Sequence, residues 1–226
     1  MQNTAVLIFA NTSKEELRHK PFANGEVLFD SLTERTLKEV EKTTLTYFLL
    51  TEEHQKGNTF GERFTNAVQS IFNAGFEKVI SIGNDTPHLK SSHIKAAAEA
   101  LIQGKTVIGP SLDGGFYLMG IHRTDFDVND MVNLPWQESS LYRSIVEHFE
   151  KNSSSLFQLP VFNDIDNLKD IQCLSNYIKT LSTSLRSLLA SCLYSVYTSI
   201  IQVEHSYAPI ILQNPFNKGS PLLVRI

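Results

Sequence analysis

Short apolar runs, often β-branched, alternate with segments of helical period along the first 180 residues, and this alternation limits the folds open to the chain. The runs are TAVLIFA (4–10), LTYFLLT (45–51), KVISIG (78–83), TVIGP (106–110), GFYLMGI (115–121) and LFQLPV (156–161). Each has the length and composition of a strand. Between them Leu28, Leu32, Thr36 and Val40 share one helical stripe, and Phe60, Phe64, Ala67 or Val68, and Ile71 or Phe72 share another. Ile94, Ala97, Ala98 and Leu101 repeat the pattern, as do Leu141, Ile145 and Phe149, and Leu168, Ile171, Leu174 or Ser175, and Ile178. Strands interleaved with helices in this way predict an α/β fold, a mostly parallel, doubly wound sheet with helices on both faces.

Beyond residue 180 the composition changes. Residues 1–180 read as one domain and 181–226 as a helical and extended appendage, with Pro and Gly breaks in SYAPIILQNPFNKGSPLLVRI. Between Arg186 and Glu204 lie 17 uncharged residues, six of them Ser, Thr or Gln. A membrane span needs roughly 20 mostly apolar residues. The expectation is therefore no membrane span but a helix packed on the core or on a second subunit, which leaves a homodimer open. A formal net charge of −4 offers no basic surface for nucleic acid, though a single nucleotide can still be held locally. Cys173 and Cys192 match no metal-ligand spacing and no disulfide framework, and MQNTAVLIFANT lacks a basic leader region, so it reads as a first strand. Both features suggest a cytoplasmic protein.

Three stretches carry carboxylates at strand ends, the edge of an open α/β sheet where ligands collect. In SIGNDTPHL, Asp85 follows the third run by two residues. It can cap a helix beginning near Ser91 or Ser92, form an Asx turn before Pro87, or help to hold a divalent cation. In VFNDIDNLKDI, Asp164 and Asp166 end an apolar run; Asp166 or Asn167 can cap the next helix, and Asp170 suits its first turn. In GPSLDGGFYLMG, Asp113 and Gly114 read equally as a hairpin turn or as a place where Gly114 and Gly115 admit a ligand while Asp113 accepts hydrogen bonds from hydroxyls or a base.

Taken in order, GNTFGERFTNAVQSIFNAGFEKVISIGNDTPHL, VIGPSLDGGFYLMGI, LPWQESSL and NDIDNLKDI resemble a family of GT-A-type glycosyltransferase-like proteins. That family is domain of unknown function 2064, within the nucleotide-diphospho-sugar transferase superfamily, and the resemblance covers about residues 4–175. It implies that Asp85 binds a cation bridging nucleotide phosphates, with Asp166 as second ligand and Asp164 as its near alternative. It implies a sugar or acceptor side at Asp113, Gly114 and Gly115, and an acceptor wall at Trp136, although core packing is the safer reading of that residue. Gly57, Gly61, Glu62 and Arg63 would lie near the base, with Gly83 and Asn84 also beside the nucleotide.

One segment departs from the family pattern. Where a loop rich in Gly, Lys and Arg is expected to wrap phosphates, this chain has FANTSKEELRHKPFANGEVLFDSL. Lys20 before Pro21 is then the phosphate-binding candidate, helped by Arg18 or Lys14, unless these are solvated loop charges. The resemblance implies a transferase dependent on Mg²⁺ or Mn²⁺ that takes a nucleotide or nucleotide-sugar and a small-molecule acceptor. Lys20 would offset phosphate charge, and Asp113, or else His88 or His93, would take the acceptor proton. A nucleotidyltransferase joining an NTP to a phosphorylated metabolite, and a GT-A domain that binds without turnover, are the other readings.

Overall fold

The computed structural model describes residues 3–21, 24–151, 155–173 and 181–206. In chain order they form β1 (Thr4–Phe9), α1 (Ser13–His19), α2 (Gly25–Glu41), β2 (Thr46–Leu50), α3 (Phe60–Asn73), β3 (Lys78–Ile82) and α4 (Ser91–Ile102). There follow β4 (Thr106–Pro110), β5 (Phe116–His122), a 3-10 turn at Arg123–Asp125, α5 (Val128–Val132), α6 (Leu141–Lys151), β6 (Leu156–Gln158), α7 (Leu168–Cys173) and α8 (Thr183–Ser206). All six expected strands are present.

They make one sheet in the order β2-β1-β3-β5-β4-β6. β1 pairs in parallel with β2 and β3, and β4 with β6, while β5 runs antiparallel to both its neighbours. Only residues 111–115 join β4 to β5, too few for the crossover that parallel pairing requires. The register shifts at Gly109 and Pro110, where the strand meets a proline that has no N–H to give. β6 stops before Pro160, yet Phe162 N–H still donates to the Pro110 carbonyl at 3.1 Å. The chain is thereby held alongside β4 on its way to the DID stretch.

Alternation along β1 sends Val6 and Ile8 to one face and Ala5 and Leu7 to the other. The first face packs under α4 and the C-terminal half of α2, and the second under α3, α5 and α6. A third cluster joins Leu28, Phe29 and Leu32 of α2 to Ile165, Ile171 of α7, and Leu181, Leu185, Leu189 and Cys192 at the start of α8. No helix among the described residues is long and apolar enough to cross a membrane. The stripe positions 174, 175 and 178, and residues 207–226, lie outside the described residues.

α1 was not expected from the sequence, which reads there as a charged loop. Thr12 provides its N-cap, the Oγ1 accepting from Glu15 N–H at 3.4 Å, and acidic Glu15 and Glu16 open the helix while Arg18 and His19 close it. Glu52 fixes the cap in turn, accepting from Thr12 N–H at 2.7 Å and from its hydroxyl at 2.6 Å.

Candidate active site

A cavity of about 1000 Å³ opens where β1, β2, β3 and β4 end, β5 begins and the segment after β6 arrives. Carboxylates outnumber cations on its wall: Asp85, Asp113, Asp164, Asp166, Glu15, Glu16, Glu52 and Glu138 stand against Lys20 and Arg63.

Asp85 does not cap α4. The position before that helix is Lys90, and the Ser91 N–H goes to Glu39 Oε2 at 2.8 Å. Gly83 makes room for the Asp85 carboxylate, since a Cβ there would lie 3.1 Å from its Oδ1. The loop around it is anchored on α2: Asn84, 5% exposed, donates to Thr33 Oγ1 at 2.8 Å, and Arg35 donates to the Pro87 carbonyl at 2.9 Å.

The DID stretch follows from strand-like alternation. Ile165 is fully buried in the third cluster, and its N–H donates to the Asp85 carbonyl at 3.0 Å. Its two neighbours border the cavity. Asn167 Oδ1 accepts the Lys169 N–H at 2.8 Å, and Asp170 accepts the Asp166 and Asn167 N–H groups at 3.0 and 2.8 Å. Those two residues satisfy the start of α7 and release the Asp166 carboxylate.

Lys20, just past α1, places its ammonium 2.7 Å from Asp85 Oδ2, 2.7 Å from Asp166 Oδ1 and 3.3 Å from Glu16 Oε2. Burial alone would lower its pKa, but Asp85, Glu16 and Asp166 outweigh it and hold the group well above the ordinary lysine range. Burial pushes the Glu16 carboxyl up, with Lys20 opposing. Burial likewise raises Asp166, again opposed by Lys20, with Asp85 and Asp113 adding to the rise. Asp164 is raised further by burial and then by Asp85, and the hydrogen bond from the Thr86 hydroxyl offsets only part.

The turn between β4 and β5 is a hairpin turn that borders the cavity through Asp113 and Gly115 but not through Gly114. Ser111 N–H donates to the Gly115 carbonyl at 3.1 Å, closing a tight connection, and Asp113 still lines the cavity, accepting from the Ser111 hydroxyl and from Gly115 N–H at 3.0 Å. Gly114, at φ +93°, is required by packing, because a Cβ would run into the Ser139 carbonyl. Gly61 is similar: a Cβ there would strike the Trp136 indole. Trp136 borders the cavity, packs on Phe60, Phe64 and Phe116, and donates from Nε1 to the Met131 carbonyl at 2.7 Å.

Of the residues expected at the site, Lys20, Gly57, Arg63, Gly83, Asn84, Asp85, Asp113, Gly115, Trp136, Asp164 and Asp166 border the cavity, and Lys14, Arg18, Gly61, Glu62 and Gly114 do not. Arg18 is turned to solvent, 76% exposed, and pairs with Glu15. His88 and His93 are not on the wall either; His93 packs against Phe162 and accepts the Lys90 N–H. Glu16, Thr86 and Ser111 were not foreseen. Glu16 had one sequence signal, its i,i+4 spacing to Lys20, which carries meaning only once α1 is a helix.

Hard carboxylate oxygens with excess negative charge suit Mg²⁺ or Mn²⁺. Among the described residues no three His, Cys, Asp or Glu side chains are set as a ready-made cage.

The crystal structure of a "putative nucleotide-diphospho-sugar transferase" from Desulfovibrio desulfuricans G20 is similar at TM-score 0.73 and 24% identity, covering 89% of this chain and 98% of that one. The 4-diphosphocytidyl-2C-methyl-D-erythritol synthase of Anaerococcus prevotii DSM 20548 is similar at TM-score 0.50 and 13% identity, covering 79% and 96%. A manganese complex of Rv0371c from Mycobacterium tuberculosis H37Rv follows at TM-score 0.46 and 10% identity, covering 77% and 98%. The fold is that of GT-A-like nucleotide-diphospho-sugar transferases. No curated protein matches the chain. The model of one family, described as "Uncharacterized protein conserved in bacteria (DUF2064)", matches residues 15–137, a span that includes Lys20, Asp85 and Asp113 but not Asp164 or Asp166, and the chain belongs to that family.

Proposed function

We propose that the protein is a metal-dependent transferase that uses an activated nucleotide, of the nucleotide-sugar glycosyltransferase kind. The observation that carries this reading is the meeting of Asp85 and Asp166, from two separate strand ends, around the Lys20 ammonium inside a cavity large enough for a nucleotide-sugar. Asp85 and Asp166, with Asp164 behind them, would hold Mg²⁺ or Mn²⁺. Bound there, such a cation supplies charge neutralisation and Lewis-acid activation at the phosphates.

The chain's own residues supply positioning and electrostatics. Lys20 offsets charge on the leaving phosphate. Asp113, fixed by Ser111 and Gly115, is the carboxylate placed to take a proton from an acceptor hydroxyl. Gly57 and Arg63 border the part of the cavity assigned to the base, and Trp136 with Phe60 and Phe116 walls the acceptor side.

Product analysis tests the reading. The protein is incubated with UDP-, GDP-, CDP- and ADP-sugars or the four NTPs, with Mn²⁺ and a panel of phosphorylated and hydroxylated acceptors. Release of a nucleoside diphosphate, lost in Asp113→Asn, is the expected result. Release of pyrophosphate would instead make the protein a nucleotidyltransferase, and absence of both, without metal-dependent nucleotide binding, would leave a binding domain.

A further inference from the structure

The carboxylates given above to a metal already hold a cation that belongs to the chain. Lys20 Nζ lies 2.7 Å from both Asp85 Oδ2 and Asp166 Oδ1, with Glu16 Oε2 at 3.3 Å and the Phe29 ring beneath it at 5.9 Å. The Lys20 side chain is 16% exposed, so this is a formed ion cluster rather than a surface contact.

A divalent cation bound to the same two oxygens would stand within a few ångströms of the ammonium, and repulsion at that range, in a half-buried site, is severe. Both cannot keep the pair. Lys20 sits at the end of α1 on a flexible four-carbon stem, so its ammonium can leave while the helix stays capped by Thr12 and Glu52. A departing ammonium needs a new anion, and incoming phosphates provide one.

We propose that the Lys20 ammonium is the resident cation of the ligand-free site, and that divalent metal enters only as Lys20 moves from Asp85 and Asp166 onto the phosphates of the nucleotide. This rests on the metal-and-nucleotide reading above and adds to it an exchange that couples the two ligands. Metal removes the anions that hold Lys20, and phosphate removes the cation that blocks the metal. Each ligand therefore tightens the other.

The test is Mn²⁺ binding without nucleotide, followed by the paramagnetic signal of the free ion. It compares the unmodified protein with Lys20→Met, and with Lys20→Gln in case the methionine variant does not fold. Arg63→Met, which removes a cavity cation that touches neither Asp85 nor Asp166, controls for net charge. The expected result is Mn²⁺ affinity at least about tenfold tighter in the Lys20 variants, a much smaller gain in Arg63→Met, and loss of the gain in Lys20→Met/Asp85→Asn. Equal affinity in the unmodified protein and the Lys20 variants, still abolished by Asp85→Asn, overturns the exchange and leaves the metal site standing. An equal gain in Arg63→Met likewise reduces the role of Lys20 to bulk charge and overturns the exchange. No Mn²⁺ binding to any variant overturns the exchange together with the metal assignment beneath it.

Discussion

Asp164 is the residue where the folded chain works against itself. Burial raises its carboxyl pKa, Asp85 raises it further, and the Thr86 hydroxyl returns only part. A carboxyl whose folded pKa exceeds its unfolded value of about 3.9 contributes most to stability below that value, and the contribution is lost as pH rises through the folded pKa. Asp164→Asn keeps an acceptor for Thr86 and removes the loss. In EDTA, melting curves from about pH 4 to pH 8 should show the variant more stable than the parent at neutral pH, with the gap closing toward pH 4. A gap that does not change with pH would contradict this account of Asp164. A carboxylate kept at such a cost is better explained by what it binds than by the fold. Asp85, Asp164 and Asp166 were legible in the sequence because strand ends in an α/β sheet converge at one edge. Glu16 and Thr86 were not, because their importance comes from partners, Lys20 and Asp164, brought beside them by a helix turn and by a loop.

At the scale of elements, strand positions were legible and the first helix was not. Apolar runs announce strands, but α1 is seven residues long and buries Glu16 and part of Leu17, so it has no apolar stripe to find. Its cap, Thr12, is fixed by Glu52 from beyond β2. Capping of α7 was likewise ambiguous among Asp166, Asn167 and Asp170, and backbone N–H groups donating to the Asn167 and Asp170 side chains decided it. The packing of α3 against the cavity wall gives a second prediction. Gly61→Ala places a methyl where the Trp136 indole lies and should cost about 1–3 kcal/mol by overpacking. Trp136 is the chain's only tryptophan, so fluorescence reports on it directly. A shifted emission maximum together with a lower denaturation midpoint is expected. Unchanged emission would mean that the indole is not held against Gly61.

For the whole molecule, the first half of α8 is built into the core rather than hung from it. Leu185, Leu189 and Cys192 are buried against the α2 positions Leu28, Phe29 and Leu32. The sequence shows a change of composition at residue 180 and so suggests a boundary there, but composition cannot show which helix face finds a partner. Leu189→Ala should lower the stability of the whole chain by about 2–5 kcal/mol in a single cooperative transition. Two transitions, with only the smaller one moved, would make the segment after residue 180 a separate unit. The same core carries Ile165, so α8 lies one layer behind the carboxylates, and the site depends on that layer for its shape.

The proposed nucleotide site depends on a cation held by Asp85. The most direct test is a thermal-shift series with UDP-, GDP-, CDP- and ADP-sugars and the four NTPs, each with Mn²⁺, Mg²⁺ or EDTA, on the unmodified protein and on Asp85→Asn. A ligand at one hundred times its Kd stabilises the native state by about 2.7 kcal/mol, well within reach of such a measurement. A shift with one base is expected, present with metal, absent in EDTA and absent in Asp85→Asn. No shift with any nucleotide, or one that survives both EDTA and the substitution, would contradict it.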